Sequence, residues 1–197
     1  MLPNVLTIWT ATRNVAKTIK NNKRNDNKMN FNNKPNKQIF DKNGVEHWVS
    51  RSISMLGLVY CLTDDEIYIL ATKRGSAVNY SNKWCLVCGY LDYNESILEG
   101  ICREVYEETN LFIPPCNFTL WGIEDDPTKD ERENITFRYY SKVDEDFYLE
   151  SYINISRVCN NETLEVKWIN YKDIALYDWA FNHFELLKEY KEAGKFI

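Results

Sequence analysis

Three glutamates, Glu104, Glu107 and Glu108, crowd into the segment Gly89 to Leu111, GYLDYNESILEGICREVYEETNL. Taken as a helix from Glu95 to Thr109, this segment sets Ile97, Leu98, Ile101 and Val105 three and four residues apart, an apolar stripe that must face a sheet. At roughly 100° per residue, Glu108 lies seven steps beyond Ile101 and returns to within about 20° of the stripe's centre line, with Glu104 on the same flank. Like charges one turn apart repel by about 0.2–0.5 kcal/mol per pair on an exposed helix, and by more where water is excluded. Arg103 can reach Glu107 and Glu99, which leaves Glu104 and Glu108 as the pair most in need of a cation. Oxygen-only donors favour Mg²⁺ or Mn²⁺ over Zn²⁺. A divalent ion held in this way suits the hydrolysis of a phosphate anhydride, where charge on the phosphate oxygens must be neutralised while water attacks.

The elements needed to position these side chains are legible around them. Ser52 to Cys61 is rich in β-forming residues, Asp64-Asp65 reads as a turn, and Glu66 to Lys73 alternates Ile67, Ile69 and Ala71 with Tyr68, Leu70 and Thr72, so the two runs form a hairpin. Trp84 to Tyr90 reads as one strand leading into the glutamate helix. Beyond Pro114-Pro115, strands are expected at Phe118 to Ile123, Ile135 to Val143 and Leu164 to Asn170, with a last helix from about Trp179 to Lys191. Helices before and after a mixed set of strands predict an α/β fold, an α/β/α sandwich with a mixed sheet between helices.

The Gly89–Leu111 segment resembles the Nudix box, G-x5-E-x7-R-E-U-x-E-E-x-G-U, where U is Ile, Leu or Val. The matching residues are Gly89, Glu95, Arg103, Glu104, Val105, Glu107, Glu108 and Leu111, and Asn110 stands where the pattern has its last glycine. That position falls just past the helix end and needs a left-handed backbone, which Asn tolerates best after Gly. The resemblance implies the Nudix sandwich over residues 45–197. It also implies that Glu104, Glu107 and Glu108, with the carbonyl of Gly89, hold Mg²⁺ or Mn²⁺, that Arg103 orients Glu104, and that Glu95 braces the loop or stands behind the metal ligands.

Relatives often draw the base that deprotonates water from a loop before a late strand ending in Glu, a hydrophobic residue and Trp. Here that strand is LEVKW, and its loop offers Glu162, with Glu165 and Glu104 as alternatives. At the end of the second hairpin strand, Arg74 suits substrate phosphates better than Lys73 because its planar fork matches their oxygens. Val87-Cys88-Gly89 replaces the usual Pro-Gly-Gly but keeps the last glycine. The implied activity is pyrophosphohydrolysis of a nucleoside diphosphate linked to another group. The alternatives are a house-cleaning nucleoside triphosphatase, an ADP-ribose or dinucleotide hydrolase, a hydrolase of capped RNA, and a nucleotide-sensing module without turnover. Tyr80, Trp84, Trp121, Tyr139 and Tyr140 could stack on a base, while His47 and His183 read as structural.

Composition bounds the rest. The 197 residues, 44% hydrophobic and 27% charged, support one ordinary domain plus an appendage. The first 45 residues hold nine Lys/Arg and two Asp, a balance of +7, which leaves −12 for the remainder of a chain whose net charge is −5. An acidic body argues against general nucleic-acid binding, although metal ions can locally reverse the field around its carboxylates, and the partner that the resemblance implies is a small nucleotide substrate. No membrane span and no convincing leader are read, so a cytoplasmic protein is expected. Residues 1–44 form a basic, Asn/Lys-rich extension, with a mobile linker from Lys17 to Lys37 and a short helical stretch from Val5 to Ile19. The six cysteines, including Cys85-x-x-Cys88, read as reduced and structural. An exposed sheet edge would permit a homodimer.

Overall fold

The computed structural model describes residues 34–197. The expected stretch Val5 to Ile19 and nearly all of the linker lie outside the described residues. The chain divides into two compact units, residues 1–50 and 51–197. In the first, β1 (Lys37–Phe40) pairs antiparallel with β2 (Glu46–Val49), so paired backbone begins before the expected start near Val45. Asp41 closes this hairpin: its Oδ1 accepts from the backbone N–H groups of Asn43 at 2.8 Å and Val45 at 2.9 Å. His47 faces Asp41 at 3.5 Å, a structural placement.

The second unit is built on a mixed seven-stranded sheet. The hairpin of β3 (Ile53–Thr63) and β4 (Glu66–Arg74) forms as the sequence predicts, with both turn residues, Asp64 and Asp65, at positive φ. Such turns match the twist of the flanking strands. β3 runs parallel to β8 (Ile135–Val143), β8 carries β7 (Thr119–Glu124) along its other side, and β4 carries β9 (Thr163–Asn170). The expected single strand from Trp84 to Tyr90 is two: β5 (Trp84–Cys85) pairs with β4, and β6 (Val87–Tyr90) pairs with β3. The chain changes partner at Leu86, whose N–H is freed from both ladders and donates to Nδ1 of His183 at 3.0 Å.

The two faces of the sheet carry separate cores. Helix α1 (Ile97–Thr109) buries Ile101 and Val105 against Met55, Val59 and Leu70. It starts two residues later than predicted because Ser96 caps it: the Ser96 hydroxyl accepts from Glu99 N–H and the Glu99 carboxylate accepts from Ser96 N–H. It ends where expected, with Asn110 left-handed at φ 62°. Helix α2 (Glu145–Ile155) was not predicted. It is capped by Asp144, whose carboxylate accepts from Phe147 N–H at 2.8 Å, and Ser151 on it accepts from the indole N–H of Trp168 at 2.7 Å. On the opposite face, α3 (His183–Glu192) packs Leu186, Leu187 and Tyr190 onto Leu58, Tyr60 and Ile69. It begins four residues later than expected, because Trp84 N–H donates to the Asp178 carbonyl and Ala180 N–H to the Trp84 carbonyl, which holds Asp178 to Ala180 against β5. The result is the expected α/β/α sandwich. Among the described residues, no helix is long and apolar enough to cross a membrane.

Candidate active site

Gly89, near the end of β6, lies directly against the helix that carries the glutamates. A Cβ added to it would sit 2.0 Å from Oε1 of Glu104, so only glycine lets that carboxylate lie against the strand. Glu104 is held there by Arg103, whose Nη1 donates to Oε1 at 2.8 Å. The Arg103 guanidinium also binds Glu95 through Nε at 3.0 Å and Nη2 at 2.8 Å, Glu107 through Nη1 at 3.1 Å, and the Tyr90 carbonyl through Nη2 at 3.1 Å. Glu95 in turn accepts from Asp92 N–H at 2.8 Å, fastening the loop between β6 and α1. Arg103 holds the Glu95 carboxyl below the usual range. It does not reach Glu99, contrary to the sequence expectation, because Glu99 turns back to cap the helix.

Glu108 faces inward. Its Oε2 accepts from the Thr72 hydroxyl of β4 at 3.0 Å, and among the described residues no cation pairs with it. Burial pushes its carboxyl well above the usual range, and the neighbouring Cys85 and Glu104 add to the effect. Burial raises Glu104 as well, against the opposing pull of Arg103. Glu107 is different: its side chain is 58% exposed and lies on the outer flank against Arg103. The i,i+4 spacing favours that ion pair. The expected grip by three converging carboxylates is therefore not formed; among the described residues, no three His, Cys, Asp or Glu groups stand together in a way that could hold one ion.

Glu104, Glu108 and Gly89 line an open cavity of about 830 Å³, together with Arg74, Glu162, Cys88, Tyr80, Phe181 and His183. Arg74 sits where the β4–β9 register shifts; its Nε donates to the Asn79 carbonyl at 2.6 Å, its guanidinium lies 5.0 Å from the Phe181 ring centre, and no carboxylate among the described residues pairs with it. Tyr80 and Phe181 are both at positive φ, 59° and 55°, and their rings meet edge to face at 4.7 Å. Bulky residues rarely adopt that backbone. Glu162 is exposed; its carbonyl accepts from Gly75 N–H at 2.6 Å, which ties its loop to the loop that follows Arg74. Glu165 pairs with Lys167 at 3.3 Å and does not line the cavity.

His183 is structural at one nitrogen, since Nδ1 accepts from Leu86 N–H and the ring proton must therefore be on Nε2. Burial, with Arg74 and Arg138 nearby, lowers it to about 3. All six cysteines are free, as expected. The Cys85 thiol lies 3.2 Å from the Thr72 hydroxyl and 3.7 Å from Nη1 of Arg74; the Cys88 sulfur, then Thr72 and Arg74, lower it to about 6 against the opposing effect of burial. The sequence reading missed several residues of the cavity wall: the loop residues Lys129, Asp130 and Arg132, the aromatic Phe181, and the pair Glu124 and Arg138. Arg138 had a signal: it is a charge in the middle of a strand, flanked by Phe137 and Tyr139, on the face that also carries Thr136 and Tyr140.

Solved structures of the same shape surround this site. The NUDIX domain of Shewanella oneidensis NrtR, complexed with ADP ribose, superposes with a TM-score of 0.59 at 18% identity, covering 78% of this chain and 93% of that one. A MutT/nudix family protein from Enterococcus faecalis superposes at 0.59 with 20% identity over 75% of this chain, which spans only 64% of that protein. A bifunctional NMN adenylyltransferase/ADP ribose pyrophosphatase from Francisella tularensis, complexed with AMP and a manganese ion, gives 0.51 at 20% identity over 73% of this chain and 42% of that one. Among the curated proteins, none matches the chain. The model of the NUDIX domain matches residues 56–190, from within β3 to the last turn of α3, and with Glu104 and Glu108 of the box set along the cavity the chain belongs to the Nudix family.

Proposed function

We propose that this chain is a Nudix pyrophosphohydrolase, cleaving the phosphate anhydride of a nucleoside diphosphate linked to a second group. The observation that carries the reading is the cavity shared by Glu104, Glu108 and Gly89 on one wall and Arg74 on another. Its acidic side fits a divalent cation: two carboxylates raised by burial, one of them with only a neutral hydroxyl for a partner, and a donor set made wholly of oxygen. Glu104 and Glu108, with the Gly89 carbonyl and with Glu107 swung from the outer flank, would hold Mg²⁺ or Mn²⁺. When bound, the ion supplies charge neutralisation on the phosphate oxygens and lowers the pKa of attacking water.

The side chains do the remainder. Arg74, with no carboxylate partner among the described residues, binds the phosphates through its fork. Arg103 keeps Glu104 in place, and Glu95 fixes both Arg103 and the loop beneath it. Glu162 accepts the proton of the attacking water; its exposed position on the cavity wall leaves it room to approach. ADP-ribose leads the substrate panel, because two of the fold relatives are described with ADP ribose in their names. Residues 45–197 would constitute the catalytic domain, with residues 1–44 as an extension to it, in a cytoplasmic protein.

The test is turnover of ADP-ribose, NADH, diadenosine polyphosphates, sugar nucleotides, nucleoside triphosphates and capped RNA, with and without Mg²⁺. Metal-dependent cleavage of at least one, lost in Glu108→Gln, is expected. Binding without turnover of any member would replace the hydrolase by a nucleotide sensor.

A further inference from the structure

On the sheet face covered by α3, the cavity floor is made by alternate residues of β3 and β8: Ser54 opposite Thr136, and Leu56 opposite Arg138. Arg138 is the anomaly of this floor. Its side chain is only 12% exposed, yet it makes a single side-chain hydrogen bond, from Nη2 to Oε2 of Glu124 on β7 at 2.9 Å. Among the described residues its buried Nε has no hydrogen-bond partner. A guanidinium carries five N–H donors, and buried donors are normally paired. The arrangement is also built rather than incidental. A register shift in β7 between Leu120 and Gly122 makes room for Trp121, whose ring lies 5.7 Å from the Arg138 guanidinium and, on the core side, 4.8 Å from Tyr190. Bulges of this kind re-aim side chains beside functional sites.

We propose that Arg138 and Glu124 are the specificity-determining pair for the nucleobase of the substrate. Arg138 donates to a carbonyl oxygen or ring nitrogen on the base edge, and Glu124 accepts from the N–H beside it. This rests on reading the cavity as a nucleotide site. The charge balance separates this pair from Arg74. Glu124 neutralises Arg138, so a neutral, hydrogen-bonding edge gains more there than a phosphate does, whereas among the described residues no carboxylate pairs with Arg74. The neighbouring walls, Leu56, Leu186 and the rings of Phe181 and His183, suit a flat heterocycle. A site whose buried polar groups are completed only by the correct hydrogen-bonding partner rejects the wrong one strongly, because the groups are otherwise left unpaired.

The experiment measures dissociation constants of AMP, GMP, CMP, UMP and ribose 5-phosphate by calorimetry, for the wild type, Arg138→Met and Glu124→Gln. Binding of these product-like probes needs no turnover. The wild type should separate its best base from its worst by about tenfold or more. Arg138→Met should compress that range to about threefold or less, and Glu124→Gln, which turns one acceptor oxygen into a donor, should change the order of the bases. Ribose 5-phosphate affinity should stay within about twofold in both. Should Arg138→Met fail to fold, the isosteric Glu124→Gln decides alone. An unchanged base order in Glu124→Gln, or no base preference in the wild type, would overturn the proposal even where the enzyme hydrolyses its substrate. Base-dependent binding that requires Arg138, in a protein that hydrolyses nothing, would keep the pair and remove the hydrolase.

Discussion

Exchanging His183 for asparagine should alter how stability depends on pH more than it alters stability at neutrality. The imidazole is 4% exposed, Nδ1 accepts from Leu86 N–H, and its pKa falls from 6.5 to about 3. The folded protein therefore binds no proton here at pH 5, while the unfolded chain does. For a group depressed on folding, the stability is fully present above the unfolded value of 6.5 and is lost as pH falls toward about 3. Each pH unit inside that window costs about 1.4 kcal/mol. Integrating from pH 7 to pH 5 with these two values gives a loss of about 2 kcal/mol from this residue alone. Asn places Oδ1 near the position of Nδ1, so the Leu86 hydrogen bond is retained and the titration is removed. Other groups, including Glu104 and Glu108, whose carboxyls are raised by burial, also contribute to the pH dependence, so the difference between the two proteins is the informative quantity. Urea unfolding at half-unit steps from pH 4.5 to pH 7.5 gives both curves. The wild type should lose about 2 kcal/mol more than His183→Asn between pH 7 and pH 5. Parallel curves would mean that His183 accepts a proton in the folded protein, and the derivation from burial would fail.

Other outcomes follow from the same contacts. Glu108→Gln should abolish turnover while raising the urea midpoint at pH 7.5, since it removes a buried carboxylate that only Thr72 hydrogen-bonds; a lowered midpoint would count against that account. Gly89→Ala should reduce turnover by about a hundredfold or more, because its Cβ would occupy the place of the Glu104 carboxylate; near wild-type kcat would refute the close approach. Asn110→Gly should stabilise the protein by about 0.5–1 kcal/mol in chemical denaturation with activity unchanged, as glycine adopts φ 62° without strain. A chain starting at Arg51 should retain activity on small substrates and a single unfolding transition, and complete loss of both would show that the hairpin belongs to the catalytic fold.

What the sequence disclosed depended on whether the signal was local. The apolar stripe of α1, its left-handed end at Asn110 and the inward angle of Glu108 all follow from spacing along one helix, and each is found where expected. The alternation in β4 and the Asp64-Asp65 turn are local in the same way. Helix α2 escaped because its apolar residues do not gather on one face and its end, Tyr152 to Ile155, is rich in residues that suit strands; only the Asp144 cap and the acidic first turn marked it. The change of partner at Leu86 was invisible for a different reason: it depends on His183, almost a hundred residues away, which takes the N–H left without a ladder. Glu107 pairs with Arg103 as the helical spacing predicts, and it is the resemblance to the Nudix box, not its angular position, that names it a metal ligand.

The distribution of charge along the cavity follows from these long-range placements and bears directly on how a nucleotide would lie in it. Glu104 and Glu108 are raised by burial, so their anionic forms gain most from a neighbouring cation. Among the described residues Arg74 is a cation without a carboxylate partner, and Arg138 is a cation already balanced by Glu124. On the proposed reading a bound nucleotide would meet three different fields in one cavity: one that suits metal, one that suits phosphate and one that suits a neutral edge. His183 stands near both arginines and is kept uncharged by burial and by them, so it adds no third positive charge beside Arg74 and Arg138. Were His183 protonated, the two arginines would face a common cation and the distinction between their sites would weaken. On this argument His183 itself should not weaken discrimination between bases as pH falls while the protein stays folded, because burial keeps the imidazole neutral above about 3.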